Sequence, residues 1–502
     1  MRTLALTLLA ALASPALADG LRVVTWNITN YASGRVSAIQ TCVYGEFEGR
    51  SMSPDVIALQ EVLSQAGVNN LVNALNTAPG SPGDWAAATF INGNDTDNAF
   101  LYRTSRVIFL GQTVVSQGSG APNHPRDINR YDIRPVGYES DATTIAIYSS
   151  HMKAGSGSTD QARRLVEAIA IRDDAESLPE GWNFILGGDF NIQSSSQSAY
   201  QELVGVQPNN LGRFFDPIAR PGSWNNSGAF RYIHTQDPTG AGGMDDRYDQ
   251  LLLSSSLVDD QALAYIGDPS IPYSNTTWND PNHSYRAWGN DGSSYDTSLT
   301  VNGNTMVGPT IAQALKDSTG GQAGHLPVFL DLQVPASIHA PLTIDLGFLP
   351  VGSVITTPLT IANDADVALW GPDGIDELDY SLLPSPGIDA PPGAFSLQPG
   401  AQQSHTLSLS SPLPGGFSEV VIIASDDPDA PEHIVEITAE FVLACSSADI
   451  AEPFGALDFS DIAAFLTAFD AQAPIADLAP PLGVFDFSDV GAFLTAFGAG
   501  RP

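Results

Sequence analysis

Short apolar runs followed by polar residues recur through the first two thirds of the chain. The run at residues 184–186 is followed by Gly-Gly, Asp189 and, two residues later, Asn191. A short apolar run closed by Gly-Gly is more typical of a buried strand than of a helix, although Gly, Asp and Asn are also common in turns. Because alternate residues of an extended chain share a face, Asp189 and Asn191 are predicted to point to the same side.

The same pattern predicts further strands, and several of them end beside a polar residue. Strands are predicted at residues 21–27, 54–61, 100–103, 132–135, 143–150, 184–186, 251–253 and 328–330, and a helix at 161–175. The polar residues beside these strands are Asn27, Glu61, His151, Asp189, Asp249 and His325. A single histidine is more often structural, but polar groups that converge at one edge of a sheet indicate an active site in a layered α/β fold.

Beyond residue 334 the pattern changes to alternating strands and then to a duplicated segment. Residues 342–362, 405–410 and 432–443 alternate as strands do and are separated by Pro-Gly turns, which predicts a β-sandwich. Residues 448–469 recur at 476–497, a period of 28. Each copy predicts a helix with an apolar face, formed by Ile462, Phe465, Leu466, Phe469 and by Val490, Phe493, Leu494, Phe497. Neither helix can bury that face alone, so the two copies are predicted to pack together as a small all-α helical pair.

The start of the chain is typical of a secretory signal, with Arg2, an apolar run and a small-residue cleavage site ending at Ala18. We therefore expect a secreted protein without a transmembrane segment in its mature chain. Cys42 and Cys445 lie in different predicted domains, so disulfides are not the stabilising device. The predicted division is a signal peptide at 1–18, an α/β domain at 19–334, a β-sandwich at 335–444 and a helical module at 445–502.

Charge limits the partners of this chain. Its formal net charge is −36, and residues 19–334 contain 18 basic and 33 acidic residues. Such a chain repels anionic surfaces at long range, so nucleic-acid binding requires a local group of basic residues. Arg126, Arg130 and Arg134 lie in one segment rich in Pro and Asn and are the candidates.

Six motifs carry the polar strand-end residues. They are Trp26-Asn27, Leu59-Gln60-Glu61, Ser150-His151, Gly188-Asp189-Phe190-Asn191, Tyr248-Asp249 and His325-Leu326-Pro327-Val328. In order and spacing, this series resembles the endonuclease/exonuclease/phosphatase superfamily, which includes the pancreatic deoxyribonuclease type and the sphingomyelinases. The resemblance covers residues 21–332. It implies an α/β four-layer sandwich, with two central β-sheets flanked by helices, and metal-dependent cleavage of phosphate esters.

The resemblance also implies the metal ligands and the base. Asn27 and Glu61 are expected to bind Mg²⁺, with Mn²⁺ as an alternative, and Asp189 is expected to align the attacking water as the base. An acidic residue that ends a buried strand costs desolvation unless it is paired or binds a cation, which independently favours Glu61 as a ligand. Asn191 is expected to support the phosphate.

The remaining roles follow from the same resemblance. Tyr102 and Arg134 are expected to contact the phosphate oxygens, and His151 is expected to be the acid or a charge stabiliser. Asp249 is expected to orient His325, because a carboxylate bonded to one ring nitrogen fixes the tautomer and favours the imidazolium.

One position departs from the family pattern. Gly324 stands where the family has an aspartate beside the metal. Magnesium is often held by one or two carboxylates plus waters and substrate phosphate, so Glu61 could suffice, and reduced or lost activity is the alternative. The aspartates considered as replacements are Asp245, Asp246 and Asp317.

The tail contains two further resemblances. Residues 395–400 and 425–428 resemble immunoglobulin-like domains of the abnormal-spindle/hydin class, which implies a spacer or binding module. The duplicated segment resembles a dockerin, whose loops bind Ca²⁺ through oxygens at the first, third and fifth positions. Here those positions are Asp449, Ala451, Pro453 and Asp477, Ala479, Pro481, and the missing oxygens argue against calcium binding. The alternative is a helical hairpin that serves as a surface-sorting or anchoring tag.

We therefore expect a secreted, metal-dependent phosphoesterase. An extracellular nuclease or phosphodiesterase acting on nucleic acid ranks first, ahead of a small-molecule phosphatase. A sphingomyelinase-type enzyme ranks lower, because no long exposed aromatic stretch suits a membrane. The rival class is a non-catalytic binding or cell-surface protein, in which Gly324 marks a decayed cleft and the C-terminal module binds a surface or sorting partner.

Overall fold

The computed structural model describes residues 20–500, so the predicted signal peptide lies outside the described residues. The chain divides into two compact units. The first contains the residues up to Pro335 together with Asp366–Asp376, and the second contains Ala336–Ala365 and the residues from Glu377 onward. Within the described range, no helix combines the length and the hydrophobicity that crossing a membrane requires. The division into three domains stays a prediction.

The first unit contains two sheets and most of the helices. Its strands are β1 (Leu21–Tyr31), β2 (Val56–Val62), β3 (Trp85–Ala87), β4 (Asp97–Arg103), β5 (Val107–Ser116), β6 (Ile128–Pro135), β7 (Ile145–His151), β8 (Asn183–Asp189), β9 (Asp249–Leu253), β10 (Ala264–Tyr265), β11 (Arg286–Ala287) and β12 (Val328–Gln333). Its helices are α1 (Val36–Tyr44), α2 (Gln65–Asn76), α3 (Ser158–Glu176), α4 (Ser198–Val204), α5 (Gly308–Asp317) and the short α6 (Val367–Trp370).

The direction of each strand determines which of its two ends lies at the edge where the predicted site residues are expected. The first sheet has the order β10-β12-β1-β2-β4-β3, with β11 beside β12, and the second has the order β5-β6-β7-β8-β9. The pairs β1–β2 and β7–β8 are parallel. Strands β12, β4, β6 and β9 run antiparallel to their neighbours in these pairs. The carboxyl ends of β1, β2, β7 and β8 therefore lie at the same edge as the amino ends of the other four strands.

Each sheet packs on its own set of helices. One apolar cluster joins β1 and β2 to α1, α2 and α5, and a second joins β7 and β8 to α3 and α4. A buried polar chain links the two sheets, because Gln60 donates to Ser149 at 3.0 Å and Ser149 donates to Asn98 at 3.1 Å. The mixed α/β character is confirmed, and the four-layer arrangement stays a prediction that these clusters support.

The second unit is rich in β-structure and ends in two helices. Its strands are β13 (Ile338–His339), β14 (Thr343–Pro350), β15 (Ile355–Asn363), β16 (Leu378–Pro384), β17 (Ile388–Asp389), β18 (Ala394–Leu397), β19 (Gln402–Leu409), β20 (Gly415–Ser425) and β21 (Glu432–Val442), and its helices are α7 (Phe459–Asp470) and α8 (Phe487–Ala499). The strands form a four-stranded sheet, β13-β15-β19-β17, and a five-stranded sheet, β14-β21-β20-β16-β18. A cluster of buried apolar residues from both sheets forms the core. The immunoglobulin-like identity of this region stays a prediction.

Helices α7 and α8 pack together, as the repeat predicts. Phe465 and Phe493 stack with ring centroids 4.1 Å apart and an interplanar angle of 13°. The predicted apolar faces are wider than the buried ones, because Leu466 and Leu494 are 57% and 56% exposed. Two single helices bury only the narrow line along which they touch, which leaves the i+4 leucines in solvent.

Glycine is required inside β8, where the sequence left a turn as an alternative. Gly187 and Gly188 lie within the strand, and a Cβ on Gly188 would lie 1.8 Å from the Ser150 carbonyl oxygen of β7. The neighbouring strand can approach this closely only because residue 188 has no side chain.

We expect Gly188→Ala to destabilise the first unit by about 1–3 kcal/mol, since the added methyl group must displace the β7 backbone. The matched control is Gly111→Ala in β5, where an added Cβ meets nothing within 4 Å. Chemical unfolding followed by tryptophan fluorescence measures both variants. Equal midpoints for the two would contradict the close approach of β7 and β8.

Candidate active site

Five of the predicted site residues form one polar cluster at the shared edge of the two sheets. Asn27, at the end of the regular part of β1, donates through Nδ2 to Glu61 Oε1 at 3.0 Å and to Asp189 Oδ2 at 3.1 Å. His151 Nε2 lies 3.3 Å and His325 Nε2 lies 3.6 Å from the same Asp189 oxygen. Side chains that are up to 298 positions apart in sequence, from Asn27 to His325, thus meet around a single carboxylate.

Glu61 is held in place by an unusual backbone conformation. It lies in β2 at a break in the register between Leu59 and Val62, and its φ is +61°. A non-glycine residue in this left-handed region costs about 1–3 kcal/mol, and such strain is typical of functional positions. The Asn30 backbone N–H donates to Glu61 Oε2 at 2.9 Å, which fixes the carboxylate beside Asn27.

Asp189 is almost completely buried, with 2% of its surface exposed. Its Oδ1 accepts from the Asn191 backbone N–H at 3.1 Å. Burial raises the pKa of Asp189 to about 6, with the positive charge of His325 opposing and the charges of Asp249 and Glu61 reinforcing the shift. At neutral pH this carboxylate is therefore ionised but has a raised affinity for a proton, as a general base requires.

His325 is the positive charge of the cluster. Its Nδ1 lies 2.8 Å from Asp249 Oδ2, and Thr235 donates to that same oxygen at 2.6 Å. Burial by itself lowers the pKa of His325, but the carboxylates of Asp249 and Asp189 outweigh it and raise the pKa to about 10. Trp26, which is a core residue as expected, also donates to the His325 backbone carbonyl at 3.3 Å. Sequence reasoning missed Thr235, which gives no strand-end signal.

His151 differs from His325 although both lie beside Asp189. Burial lowers the pKa of His151 well below its usual value, and the charges of Arg126 and His325 reinforce the shift. The two carboxylates within 4 Å of its ring do not reverse this direction, because the imidazolium of His325 already neutralises one of them. His151 is therefore a neutral imidazole at neutral pH. Its Nδ1 is buried without a hydrogen-bond partner, 3.8 Å from Glu61 Oε1.

Asn191 lies beside the cluster, and its amide is already engaged. Its Nδ2 donates to the Met152 backbone carbonyl at 3.2 Å, and its φ of +52° turns the chain sharply after β8. The predicted phosphate role of Asn191 stays a prediction.

Two residues that were expected to contact the phosphate, Tyr102 and Arg134, lie away from the cluster. Tyr102 pairs with Val56, at the end of β2 opposite to Glu61, and its ring stacks on Phe109. Arg134 donates to Thr144, at the end of β7 opposite to His151. Both residues follow an apolar run, but β4 and β6 are antiparallel to β2 and β7, so their carboxyl ends lie at the far edge of the sheets.

Arg126, which precedes β6, is the arginine that reaches the cluster. Its Nη1 lies 3.5 Å from the His151 backbone carbonyl, and its Nη2 lies 3.3 Å from Asp95. Arg130 instead pairs with Asp132 and Asp174. Strand direction would have identified Arg126, because the amino end of an antiparallel strand lies at the active edge.

Gly324 has a conformation that excludes the aspartate of the family pattern. Its φ is +70°, and a Cβ would lie 2.3 Å from Thr319 Cγ2. A side chain at this position would therefore require local rearrangement. Of the aspartates considered as replacements, Asp317 is exposed and accepts from Gln313, so it does not belong to the cluster.

An acidic wall, which we define as Asp237, Asp245 and Asp246, lies beside His325. The Asp237 backbone N–H donates to the Gly324 carbonyl at 3.0 Å, and the Thr235 backbone N–H donates to the Asp246 carbonyl at 2.8 Å. The three side chains are 8%, 4% and 8% exposed. Burial raises the pKa of each carboxyl group, to about 6 for Asp245, and repulsion from neighbouring carboxylates reinforces the shift at Asp245 and Asp246. Among residues 20–500, no Lys or Arg forms an ion pair with the wall.

The cluster contains some of the donors that a divalent cation needs. In the described part of the chain, no group of three or more His, Cys, Asp or Glu side chains is arranged to hold a metal ion. Glu61 and Asp189 nevertheless place two carboxylates on either side of Asn27 Nδ2, with the unpartnered His151 Nδ1 nearby. One or two carboxylates, completed by waters and substrate phosphate, are the donor set that Mg²⁺ uses, so the residues fit the ion. Asn27 Oδ1 accepts from the Thr29 backbone N–H at 3.0 Å, and its role as a ligand stays a prediction.

The chain is similar to several proteins of known structure and matches one protein-family model. Among solved structures, the chain is similar to the human Nocturnin catalytic domain with bound sulfate, at 14% identity over 63% of this chain and 95% of that one, with a TM-score of 0.36. It is similar to D. rerio TDP2 complexed with a single-strand DNA product, at 14% identity over 62% and 99% of the two chains, with a TM-score of 0.33. It is also similar to beta toxin 275-280 from Staphylococcus aureus, at 11% identity over 62% of this chain and 99% of that one, with a TM-score of 0.36.

These TM-scores are below 0.5, so the family does not rest on them. No curated protein matches the chain. The model of the Endonuclease/Exonuclease/phosphatase family matches residues 25–285, which is more than half of the 502 residues and contains every member of the cluster except His325. The chain belongs to the Endonuclease/Exonuclease/phosphatase family.

Proposed function

We propose that this protein is a secreted, metal-dependent phosphodiesterase. The observation that carries the proposal is the convergence of Glu61, Asp189 and His325 around Asn27, because it combines a cation-binding carboxylate, a base and an imidazolium in one cleft. Export is supported by the N-terminal sequence pattern alone. A non-catalytic binding protein would have no use for a buried, strained arrangement of this kind.

Glu61, beside Asn27, is the carboxylate that would hold the cation, while Asp189 is kept for the role of base. A bound Mg²⁺ or Mn²⁺ supplies Lewis-acid polarisation of a phosphate oxygen. Enzymes of this family typically use divalent metal ions. Asn27 keeps the two carboxylates apart and correctly oriented, which limits their mutual repulsion when the cleft is empty of substrate.

Asp189 is the proposed base. Its Oδ2 accepts the proton of a water that attacks phosphorus, while its Oδ1 stays bonded to the Asn191 backbone N–H. The raised pKa of Asp189 brings its proton affinity closer to neutral pH, where proton transfer from water is most effective.

His325 and Arg126 are the proposed charge stabilisers. Negative charge develops on the non-bridging oxygens as the attacking water adds, and a fixed imidazolium and guanidinium favour that charge. Asp249 and Thr235 position the His325 ring rather than touch substrate. Neutral His151 can donate a hydrogen bond to a phosphate oxygen or a leaving oxygen through a ring N–H.

The acidic wall favours a short phosphodiester over a nucleic-acid polymer. Three buried carboxylates without cationic partners lie on one side of the imidazolium of His325. A polymer brings several phosphates to the cleft, and those beyond the scissile one are repelled by the wall. Nucleic acid, the first choice from sequence, is therefore ranked behind a substrate with a single phosphodiester group.

We expect Asp189→Asn to lower kcat/KM for an artificial phosphodiester by about 10²–10⁴-fold, because the amide cannot accept a proton from water.

We expect Glu61→Gln to lower the affinity for Mg²⁺, seen as a higher Mg²⁺ concentration for half-maximal activity. Glu48→Gln is the control, since Glu48 is 65% exposed and pairs only with Arg50. If the wild-type protein is inactive with every divalent cation, the proposal fails.

The charge of His325 gives a pH prediction. Because the folded-state pKa of about 10 is above the ordinary value of 6.5, the imidazolium stabilises the fold fully below pH 6.5 and ceases to do so as pH rises through 10. Asp249→Asn removes the largest favourable charge, so the alkaline limb of the kcat/KM profile should move to lower pH. An NMR titration of the His325 ring measures the shift directly. An unchanged limb and an unchanged ring titration would show that Asp249 does not set the charge of His325.

Charge removal from the wall tests the substrate preference. In Asp245→Asn, the ratio of plasmid hydrolysis to hydrolysis of a small artificial phosphodiester should rise by up to about tenfold at low ionic strength, and salt should diminish the rise. Asp317→Asn is the control, because it removes the same charge outside the cluster. A ratio that moves equally in both variants would assign the effect to net charge and not to the wall.

A further inference from the structure

The duplicated C-terminal module contains two aspartates that are completely buried. In the first copy, Asp461 Oδ1 accepts from the backbone N–H groups of Ile450 at 2.8 Å and Ala451 at 2.9 Å. Its Oδ2 accepts from the Asp458 N–H at 2.9 Å. The exposed fraction of Asp461 is 0%. One carboxylate thus joins both ends of the loop that precedes α7.

The second copy repeats these contacts at the period of the sequence repeat. Asp489 Oδ1 accepts from the N–H groups of Leu478 and Ala479, both at 2.8 Å, and its Oδ2 accepts from the Asp486 N–H at 3.0 Å. Asp489 is also 0% exposed. Because both copies make the same three bonds, the arrangement belongs to the repeat and is not an accident of one loop.

The repeated Asp-Phe-Ser-Asp sequence is explained by these bonds. Asp458 is the N-cap of α7 and accepts from the Ser460 N–H at 2.6 Å, while Asp461 returns the bond to the Asp458 N–H. This is a capping box with aspartate at both positions. The N-cap of α7 is therefore Asp458, and Asp461 at the third helical position completes the box.

The loops do not offer calcium a suitable donor set. Calcium takes six to eight oxygen ligands. At the first loop position, Asp449 Oδ2 already accepts from the Cys445 and Gly455 N–H groups, both at 2.7 Å, and Asp477 Oδ2 accepts from Gly483 at 2.6 Å. The third and fifth positions carry Ala and Pro, which have no side-chain oxygen.

Only one buried carboxylate oxygen in each copy lacks a partner. These atoms are Asp449 Oδ1 and Asp477 Oδ1. A single oxygen falls far short of a calcium shell, and the N–H groups that converge on Asp461 and Asp489 point positive hydrogens at the carboxylates that would have to supply the rest. A cation would have to replace bonds that the chain already makes to itself.

We infer that the duplicated C-terminal module folds without calcium, with backbone N–H groups bonded to Asp461 and Asp489 doing what the cation does in the dockerin loops it resembles. The inference does not depend on the proposed phosphodiesterase activity. The module should stay folded in a chelator that removes the divalent cation from the catalytic cleft.

Hydrogen–deuterium exchange of the full chain, in excess EDTA and in excess Ca²⁺, tests this inference and locates any effect in the sequence. We expect the exchange rates of peptides covering residues 445–500 to agree within about twofold between the two conditions. Slower exchange in Ca²⁺ at residues 449–461 or 477–489 would overturn the inference. Peptides covering residues 56–62 report cation binding at the cleft in the same sample, so the two sites are told apart.

Variants test the assigned aspartates. In Asp461→Asn, the amide group cannot accept from all three N–H donors, so the amides of Ile450, Ala451 and Asp458 should exchange about tenfold faster or more, in EDTA and in Ca²⁺ alike. Asp489→Asn should have the same effect in the second copy. Asp470→Asn, an exposed position at the end of α7, is the control and should change nothing in the loops.

Wild-type protection of the loop amides in both Asp461→Asn and Asp489→Asn would refute the role of these aspartates. Rapid exchange that Ca²⁺ restores to the wild-type rate would also refute it, because it would show that the loops can use the cation. If either variant unfolds the module entirely, the wild-type comparison in EDTA and Ca²⁺ still decides the inference.

Discussion

The buried charge of Asp189 is the interaction on which the first unit depends. A carboxylate that is 2% exposed is tolerated only if polar partners surround it, and here the partners come from both sheets. Asn27 belongs to one sheet and His151 to the other, while His325 precedes the last strand of the first sheet. The packing of the two sheets and the geometry of the cluster are therefore one constraint, because separating the sheets would remove Asn27 and His325 from the carboxylate.

Basic residues are too few to pair with all the carboxylates of the chain. The chain has 56 acidic and 20 basic residues, so most carboxylates cannot have a cationic side chain as partner. Some arginines form ion pairs inside the core, as Arg106 does with Asp55 at 2.8 Å. Elsewhere the chain bonds carboxylates to neutral donors. The Asn27 amide serves Glu61 and Asp189, and backbone N–H groups serve Asp461 and Asp489.

The acidic wall is compensated only in part: the Asn225 amide donates to Asp246, and the Gly242 backbone N–H bonds to Asp237. Asp237 Oδ1 is buried without a hydrogen-bond partner, and burial penalises its charge. Uncompensated carboxylates lower stability, and such groups persist where they serve a site. Their place beside His325 is the basis of the substrate preference proposed above.

The sequence by itself determined several strands of the first unit, the polar residues that end its parallel pairs, and the repeat, because alternation, apolar runs and a fixed period are properties of neighbouring residues. It therefore predicted Asn27, Glu61, His151, Asp189, Asp249 and His325 as site residues, and the structure brings them close together. Only the tertiary structure decided which edge each strand end occupies. Tyr102 and Arg134 lie away from the cluster, and of the three arginine candidates Arg126 reaches it, for one reason: antiparallel strands reverse the edge at which a carboxyl end lies, and strand direction depends on pairing between distant segments. The exclusion of a side chain at Gly324 and the N–H bonds of Asp461 likewise depend on groups that meet only in the folded chain.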